Sequence, residues 1–151
     1  MRTKTKISII AVGLLVVAAF LALAFSKIDN LQANRKLTTN DYSIGAISVD
    51  NGKVIESKQN YYSEMFELDG AEIKVEEDAT ASYKLFFYDE VKAYISCTDA
   101  LAEDLSAESI PETAKYFRVM ITPALVDGEP VECKHLNMSK YISQISITIA
   151  K

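Results

Sequence analysis

Tyrosine and phenylalanine side chains in the middle of the chain have the chemistry of a stacking surface for sugars. The candidate residues are Tyr61, Tyr62, Phe86, Tyr88 and Tyr94. An aromatic ring offers an apolar face, and a tyrosine adds a hydroxyl that hydrogen-bonds. Tryptophan, the strongest residue for such a surface, does not occur in the sequence. The alternative is that these rings pack within a sheet, as aromatic residues of strands commonly do.

Carboxylates form two groups along the chain that could bind a cation. The first lies within residues 64–78, and the second contains Asp99, Glu103 and Asp104. Calcium prefers six to eight oxygen ligands from carboxylates and carbonyls, but the D-x-D-x-D-G spacing of a calcium loop is missing from the sequence. We therefore expect no cofactor and no metal centre, with a structural calcium ion in a loop as the alternative.

Cys97, Cys133 and the single histidine, His135, are the remaining side chains with distinctive chemistry. In an oxidising compartment the two cysteines could form a disulfide, and the alternative is two separate thiols. The three residues are one ligand short of a closed zinc site, and their spacing matches no zinc module. No G-x-S-x-G elbow and no glycine-rich phosphate loop accompany them. We therefore expect a protein that is not an enzyme.

The N-terminal segment predicts attachment to a membrane. Three cationic side chains precede a nearly uninterrupted apolar run over residues 7–25. A helix of that length spans about 28 Å, close to the hydrocarbon thickness of a bilayer. The preceding cations favour a cytoplasmic N-terminus. We expect residues 1–26 to be a retained single-pass anchor, with a secretory signal peptide cleaved near Ala22-Leu23-Ala24 as the alternative.

The part of the chain that follows is acidic and long enough for one domain. All 21 Asp and Glu residues lie beyond the apolar run, whereas three of the 16 Lys and Arg residues precede it. Nucleic acid is disfavoured as a partner, because phosphate contacts need clustered Lys and Arg. The length suffices for a hydrophobic core without disulfides or metals. Residues 27–40 are polar and predict a stalk between the membrane and a domain over 41–151.

Short apolar segments separated by turn residues predict a β-rich domain. The predicted strands are residues 44–49, 53–57, 61–68, 71–76, 82–88, 93–97, 116–122 and 141–149. Asp50-Asn51-Gly52 predicts a tight hairpin between the first two, and residues 98–113 predict a long loop with a helical turn. This spacing predicts an all-β fold, an antiparallel sandwich of jelly-roll type.

Alternation within the last two predicted strands indicates which side chains are buried. Arg118 is expected on the solvent face of its strand. The residues expected to face inward are Phe117, Val119, Ile121, Ile145, Ile147 and Ile149.

Two segments of the chain resemble a known group of modules. Residues 83–96 read YKLFFYDEVKAYIS, and residues 110–119 read IPETAKYFRV. This pattern resembles small jelly-roll modules of Firmicutes surface proteins and of phage tail or receptor-binding proteins, which are similar to carbohydrate-binding domains. The resemblance covers residues 60–122 and implies a sandwich more strongly than it implies sugar binding. Arg118 belongs to the pattern and joins the tyrosines 61, 62, 88 and 94 as a candidate ligand-binding residue.

Together these features favour a non-catalytic extracytoplasmic binding module, anchored in the cell membrane or secreted if the N-terminus is cleaved. Its expected ligand is a glycan or a cell-envelope component. The alternative is a structural or protein-interaction subunit of a surface or phage-derived assembly. An exposed aromatic cluster would favour the first function. An unpaired sheet edge, or an aliphatic patch that includes Met120 or Ile142, would favour the second.

Overall fold

Antiparallel pairs of short strands account for most of the structure, a computed structural model that describes residues 34–68, 71–105 and 109–150. The unit that they form begins at Arg35. The predicted membrane segment, residues 1–26, and residues 27–33 of the predicted stalk lie outside the described residues. Within the described ranges, no helix has the length and apolar character needed to cross a membrane.

The elements are short and mostly β-strands. In chain order they are β1 (Asn34–Lys36), a 3-10 helix (Thr39–Asp41), β2 (Tyr42–Ile44), β3 (Ala46–Ile47), β4 (Val54–Ile55), β5 (Tyr61–Ser63), β6 (Phe66–Glu67), β7 (Ala71–Val75), β8 (Ala81–Tyr88), β9 (Tyr94–Cys97), β10 (Tyr116–Pro123), α1 (His135–Ile142) and β11 (Ile145–Ala150). The predicted all-β class is confirmed.

The strands form one large sheet, one smaller sheet and a hairpin. The large sheet has the order β2-β5-β10-β8-β9, with β6 also paired to β10. Its centre is the antiparallel ladder of β8 and β10, which runs from Tyr116 opposite Tyr88 to Pro123 opposite Ala81. The smaller sheet has the order β1-β11-β7, and β3 pairs with β4 to form the hairpin.

The main core lies between the inner face of the large sheet and the smaller sheet. Alternate residues of β10 and β11 supply much of it, because successive side chains of a strand point to opposite faces. The six inward-facing residues predicted from β10 and β11 are all buried: Phe117, Val119, Ile121, Ile145, Ile147 and Ile149. Helix α1 contributes Met138, Tyr141 and Ile142 to the same core.

A second, smaller cluster covers the outer face of the large sheet. It contains Phe86, Tyr88 and Met120 from β8 and β10, with Ala46 and Ile47 of β3 packed over them. The hairpin β3–β4 therefore lies across this face. Its turn confirms the predicted Asn-Gly hairpin, since Gly52 adopts φ +66°, a conformation that suits glycine.

The end of the predicted last strand is helical instead. Tyr141 and Ile142 belong to α1, and the strand begins only at Ile145. Within α1 the buried residues Met138, Tyr141 and Ile142 have the i, i+3, i+4 spacing of an amphipathic helix. The ring of Tyr141 stacks on that of Tyr61, with centroids 6.4 Å apart. This tertiary packing stabilises a helix too short to be stable alone.

The domain starts earlier than the predicted boundary at Asp41. Strand β1 joins the smaller sheet, and Leu37 is buried in the main core while its N–H donates to Ile147 O at 2.9 Å. Residues 35–40 are thus part of the domain and not of a stalk. The buried carboxylate of Asp41 accepts from the Thr38 N–H at 2.7 Å and pairs with Arg35.

Candidate functional site

Tyr61 is a buried packing residue of the main core. Its side chain is 0% exposed, and its hydroxyl donates to Asn137 Oδ1 at 2.6 Å while accepting from the Lys134 N–H at 3.2 Å. Burial raises the pKa of this phenol well above its ordinary value, with the neighbouring Cys133 thiol acting in the same direction. Tyr61 therefore connects β5 to the start of α1 and offers no ring face to a ligand.

Tyr88 and Tyr94 hold the tip of the hairpin. Tyr88 is 4% exposed, and its hydroxyl donates to Gly52 O at 2.7 Å. The half-buried Tyr94 donates to Val49 O, also at 2.7 Å. Their rings meet edge to face with centroids 5.9 Å apart, and Phe86 lies 0% exposed beneath the same hairpin. Burial raises the pKa of both phenols, so both hydroxyls stay protonated donors at neutral pH.

Tyr62 lies at the other end of the hairpin, where Gly45 is packed against its ring. It is half-buried on β5, and β5 is three strands away from β9, which carries Tyr94. At a spacing of about 4.8 Å per strand, the two tyrosines are about 14 Å or more apart across the sheet. The other predicted aromatic residues, unlike Tyr61 in the main core, lie on the outer face, but they do not form one open stacking surface because the hairpin crosses it.

Arg118 lies on the same outer face, opposite Phe86 and two residues from both Tyr116 and Met120 on β10. It is half-buried, in contrast to the expected solvent exposure, because the hairpin covers part of this face. Its Nε is buried and makes no hydrogen bond within the described part of the chain.

The two cysteines are separate thiols. Cys97 lies on β9 against the second cluster, and Cys133 is buried in the main core. They occupy opposite sides of the large sheet, whereas a disulfide needs Cα atoms within about 7 Å. The disulfide that the sequence left open is therefore not formed. Burial raises the pKa of the Cys133 thiol, which makes it a poor nucleophile at neutral pH.

Metal ligands are not gathered anywhere in the described residues. No group of three or more His, Cys, Asp or Glu side chains among residues 34–68, 71–105 and 109–150 is placed to hold a metal ion. The acidic segment 64–78, considered as the alternative calcium site, includes Glu72, whose carboxylate accepts from Lys74 Nζ at 2.9 Å.

An open groove of about 760 Å³ lies where β6 and β8 end and β10 begins. Its lining residues are Glu67, Leu68, Glu90, Ile110, Ala114, Lys115 and Tyr116. The backbone of Lys115 is fixed on both sides, since its N–H donates to Tyr88 O and its carbonyl accepts from the Leu68 N–H, each at 2.9 Å. The floor of the groove is therefore held by the ladders of the large sheet.

The turn after β8 forms one wall of the groove. The Asp89 carboxylate accepts from the backbone N–H groups of Val91 at 2.9 Å and Ala93 at 2.8 Å. This side-chain bonding fixes a turn in which Lys92 takes φ +63°. Lys92 Nζ is brought to 5.3 Å from the centroid of the Tyr116 ring, a cation–π distance.

The groove combines the groups that recognise a polyhydroxylated molecule. Glu67 and Glu90 supply carboxylate acceptors, Lys115 supplies a donor, and the half-buried Tyr116 supplies an aromatic ring. Sequence reasoning missed this set, although alternation along β10 places Tyr116 on the same face as Arg118. Glu67 lies on β6 and Glu90 lies in the turn after β8, and only the tertiary fold brings them together.

Comparisons of the chain with protein-family models, with curated proteins and with solved structures found no match. The resemblance to jelly-roll surface modules stays a prediction. The evidence for a function therefore lies in the site itself.

Proposed function

We propose that the protein is a non-catalytic binding module at the outer surface of a cell membrane, with a glycan or another polyhydroxylated envelope component as its ligand. The apolar segment over residues 7–25 is the proposed anchor. The β-rich domain, a jelly-roll-like sandwich in this proposal, presents the binding groove outside the cell. Both the location and the jelly-roll topology are parts of the proposal.

The groove beside Tyr116 carries this proposal. Its volume of about 760 Å³ falls in the range of sites for small organic ligands, roughly 300–1,000 Å³. Sugar hydroxyls donate to carboxylates such as Glu67 and Glu90 and accept from an ammonium such as Lys115, while C–H groups of a pyranose pack on an aromatic ring. The backbone of the groove is fixed by hydrogen bonds at Lys115, so the ordering cost of binding falls mainly on the exposed side chains of Glu67, Glu90 and Lys115.

Three of the residues predicted from the sequence stay candidates for additional ligand contacts. Tyr62, Tyr94 and Arg118 are half-buried on the outer face, and Arg118 follows Tyr116 by two residues on the same strand. Tyr61 and Tyr88 are structural in this proposal, because their rings are buried and their hydroxyls already bond to the protein.

The test is binding of the full chain, purified in a neutral detergent, to a panel of soluble polysaccharides. The variant Tyr116→Ala should weaken binding about tenfold, the loss expected for about 1.4 kcal/mol of ring contact, whereas Tyr116→Phe keeps the ring and most of the affinity. Glu90→Gln tests the groove without altering a buried side chain, since Glu90 is exposed. Leu136→Ala, at a side chain that is 93% exposed on α1, is the matched control.

Two results would contradict the proposal. A folded protein that binds none of the polysaccharides would exclude the glycan function. A shortened polysaccharide after incubation would show that the module is catalytic.

A second function, protein interaction, is favoured by the hairpin. Val49, Val54 and Ile55 are 49%, 43% and 50% exposed, and β4 pairs only with β3 among the described strands. An open strand edge with aliphatic side chains is a surface to which another chain can add. Met120 and Ile142, expected in such a patch, are buried instead. Loss of co-purifying protein partners in Val54→Thr, but not in Leu136→Ala, would support this function.

A further inference from the structure

Arg118 is a half-buried cation that lacks partners within the described residues. Its Nε is buried without a hydrogen bond. The ion pairs of residues 34–68, 71–105 and 109–150 are Arg35–Asp41, Lys74–Glu72 and Lys134–Glu132, so no described carboxylate lies within salt-bridge distance of Arg118. A buried donor without an acceptor is costly and rare in folded proteins. The positive charge of the guanidinium is therefore not paired with any described carboxylate and is available to an anionic group.

Two further cations lie near Arg118 on the outer face. Lys84 on β8 is a diagonal neighbour, because Arg118 is opposite Phe86 and Met120 is opposite Lys84. Diagonal neighbours in an antiparallel pair are within reach of long side chains. Lys92 approaches from the turn and lies 5.3 Å from the Tyr116 ring centroid. None of these three cations takes part in an ion pair between described residues.

These three cations lie around Tyr116 and Arg118 in a protein whose net charge is −5. An acidic protein repels anions unless a local group of cations attracts them. Arginine is the side chain best suited to the task, since its planar fork pairs with carboxylate or phosphate through parallel N–H···O bonds.

We propose that the ligand of this module is acidic and that Arg118 binds its anionic group, a carboxylate or a phosphate. The inference rests on the proposed glycan function, which it sharpens from polysaccharides in general to acidic ones. Two residues along a strand span about 6.7 Å, so the anionic group lies about one sugar unit from a ring packed on Tyr116. The carboxylates of Glu67 and Glu90 border the groove and bind neutral hydroxyl groups there.

The test compares two pairs of polymers, each with one sugar backbone in an acidic and a neutral form. Polygalacturonate is compared with its fully methyl-esterified form, and phosphorylated dextran with plain dextran. The full chain in neutral detergent should bind at least one acidic polymer about tenfold or more tightly than its neutral partner, with an affinity that falls as salt rises. Comparison of the two pairs distinguishes a carboxylate from a phosphate ligand.

Variants assign the preference to Arg118. Arg118→Gln should abolish the preference for the acidic polymer, lowering the affinity for that polymer about tenfold, toward the affinity for its neutral partner. Arg118→Lys keeps the charge but loses the Nε–H and should retain only part of the preference. Lys74→Gln removes one positive charge from the exposed pair with Glu72 and should leave the preference intact.

The outcomes separate the inference from the function on which it rests. Equal affinity for acidic and neutral polymers, or a preference that survives in folded Arg118→Gln and Arg118→Lys, would overturn the inference and leave glycan binding standing. Binding to no polymer of either charge would overturn the proposed function and this inference with it.

Discussion

The two faces of the large sheet are built from the same strands but are covered in different ways. On β8, Leu85 and Phe87 point into the main core, whereas Phe86 and Tyr88 point into the second cluster. A second sheet and helix α1 cover the inner face. The outer face is covered by a hairpin whose two strands have two residues each.

This difference separates a face that stabilises the fold from a face that can take part in recognition. The inner face packs against the mainly apolar side chains of the main core. The outer face retains half-buried Tyr62, Lys84, Tyr94 and Arg118 at the margins of the hairpin. Because polar groups are costly to bury without partners, such a partly covered face suits the binding of a polar ligand.

Substitution of two adjacent residues on opposite faces of β8 should lower the free energy of unfolding more than the other substitutions proposed for this domain. Phe87→Ala should lower the free energy of unfolding by about 4–5 kcal/mol, and Phe86→Ala by about 3 kcal/mol, because the small hairpin can settle into the cavity more readily than a sheet can. Both residues are at most 1% exposed, so the difference between the two losses of stability reflects what covers each face of the sheet. Urea denaturation of the two variants measures it, and equal losses would contradict the contrast between the faces.

A side chain added at Gly52 in the hairpin turn should displace the hairpin from the sheet. A Cβ at Gly52 would lie 2.5 Å from Cδ2 of Tyr94, and the residue has φ +66°. Gly52→Ala should therefore cost about 2–3 kcal/mol, the sum of backbone strain and a steric clash. Gly128→Ala is the matched control, since Gly128 has φ +83° but no atom within 4 Å of an added Cβ. It should cost about 1 kcal/mol, and a similar loss in both variants would mean that the hairpin is loosely packed.

Alkaline pH should lower the stability of the domain, because Tyr83 on the inner face ionises more readily in the unfolded state than in the folded state. This buried phenol donates to Glu103 O at 2.9 Å, and burial, followed by the nearby Asp104 and Glu103 carboxylates, raises its pKa to about 12. An unfolded tyrosine ionises near pH 10. The unfolded state therefore releases this proton first, and stability falls as pH rises from about 10 to about 12.

The measurement is the urea midpoint between pH 8 and pH 11.5 for the protein and for Tyr83→Phe. The variant should lose less stability over this interval, by on the order of 1 kcal/mol. Identical pH profiles would exclude a protonated Tyr83 as a stabilising group.

Small losses of stability are expected when either of the two hydroxyls that hold the hairpin tip is removed. Tyr88→Phe should cost about 1–2 kcal/mol, because it leaves the Gly52 carbonyl without its donor in a buried position. Tyr94→Phe should cost about 0.5 kcal/mol, because water can replace its bond to Val49 O at an exposed site. Thermal unfolding of the two variants gives the ranking, and the reverse order would contradict the assignment of Tyr88 as the buried contact.

The local features of the fold were predictable from the sequence. The hairpin at Asn51-Gly52 was confirmed, as were the strands at 71–76, 82–88 and 116–122 and the inward orientation of Phe117 and Ile147. Each of these depends on a local turn preference or on period-2 alternation, which a few consecutive residues specify. Helix α1 escaped prediction because its eight residues gain their stability from contacts with β5 and the core.

The candidate site was predictable only in part. The sequence pointed to Arg118 and to aromatic residues of β8 and β9, but not to the groove formed by Glu67, Glu90 and Tyr116. Alternation assigns a side chain to a face of its own strand, and it cannot indicate what covers that face. Tyr88 was therefore expected to be available to a ligand, whereas the hairpin buries it.

The β-rich class, the hairpin turn and the two faces of each central strand are encoded locally, because they follow from backbone preferences and side-chain periodicity over a few residues. The packing of the whole domain places the hairpin over the outer face, keeps Cys97 and Cys133 apart, and leaves Nε of Arg118 without a hydrogen bond among the described residues. These outcomes depend on contacts between residues far apart in the chain. Such contacts are set by how the sheets and the hairpin pack against one another, and no local pattern encodes them.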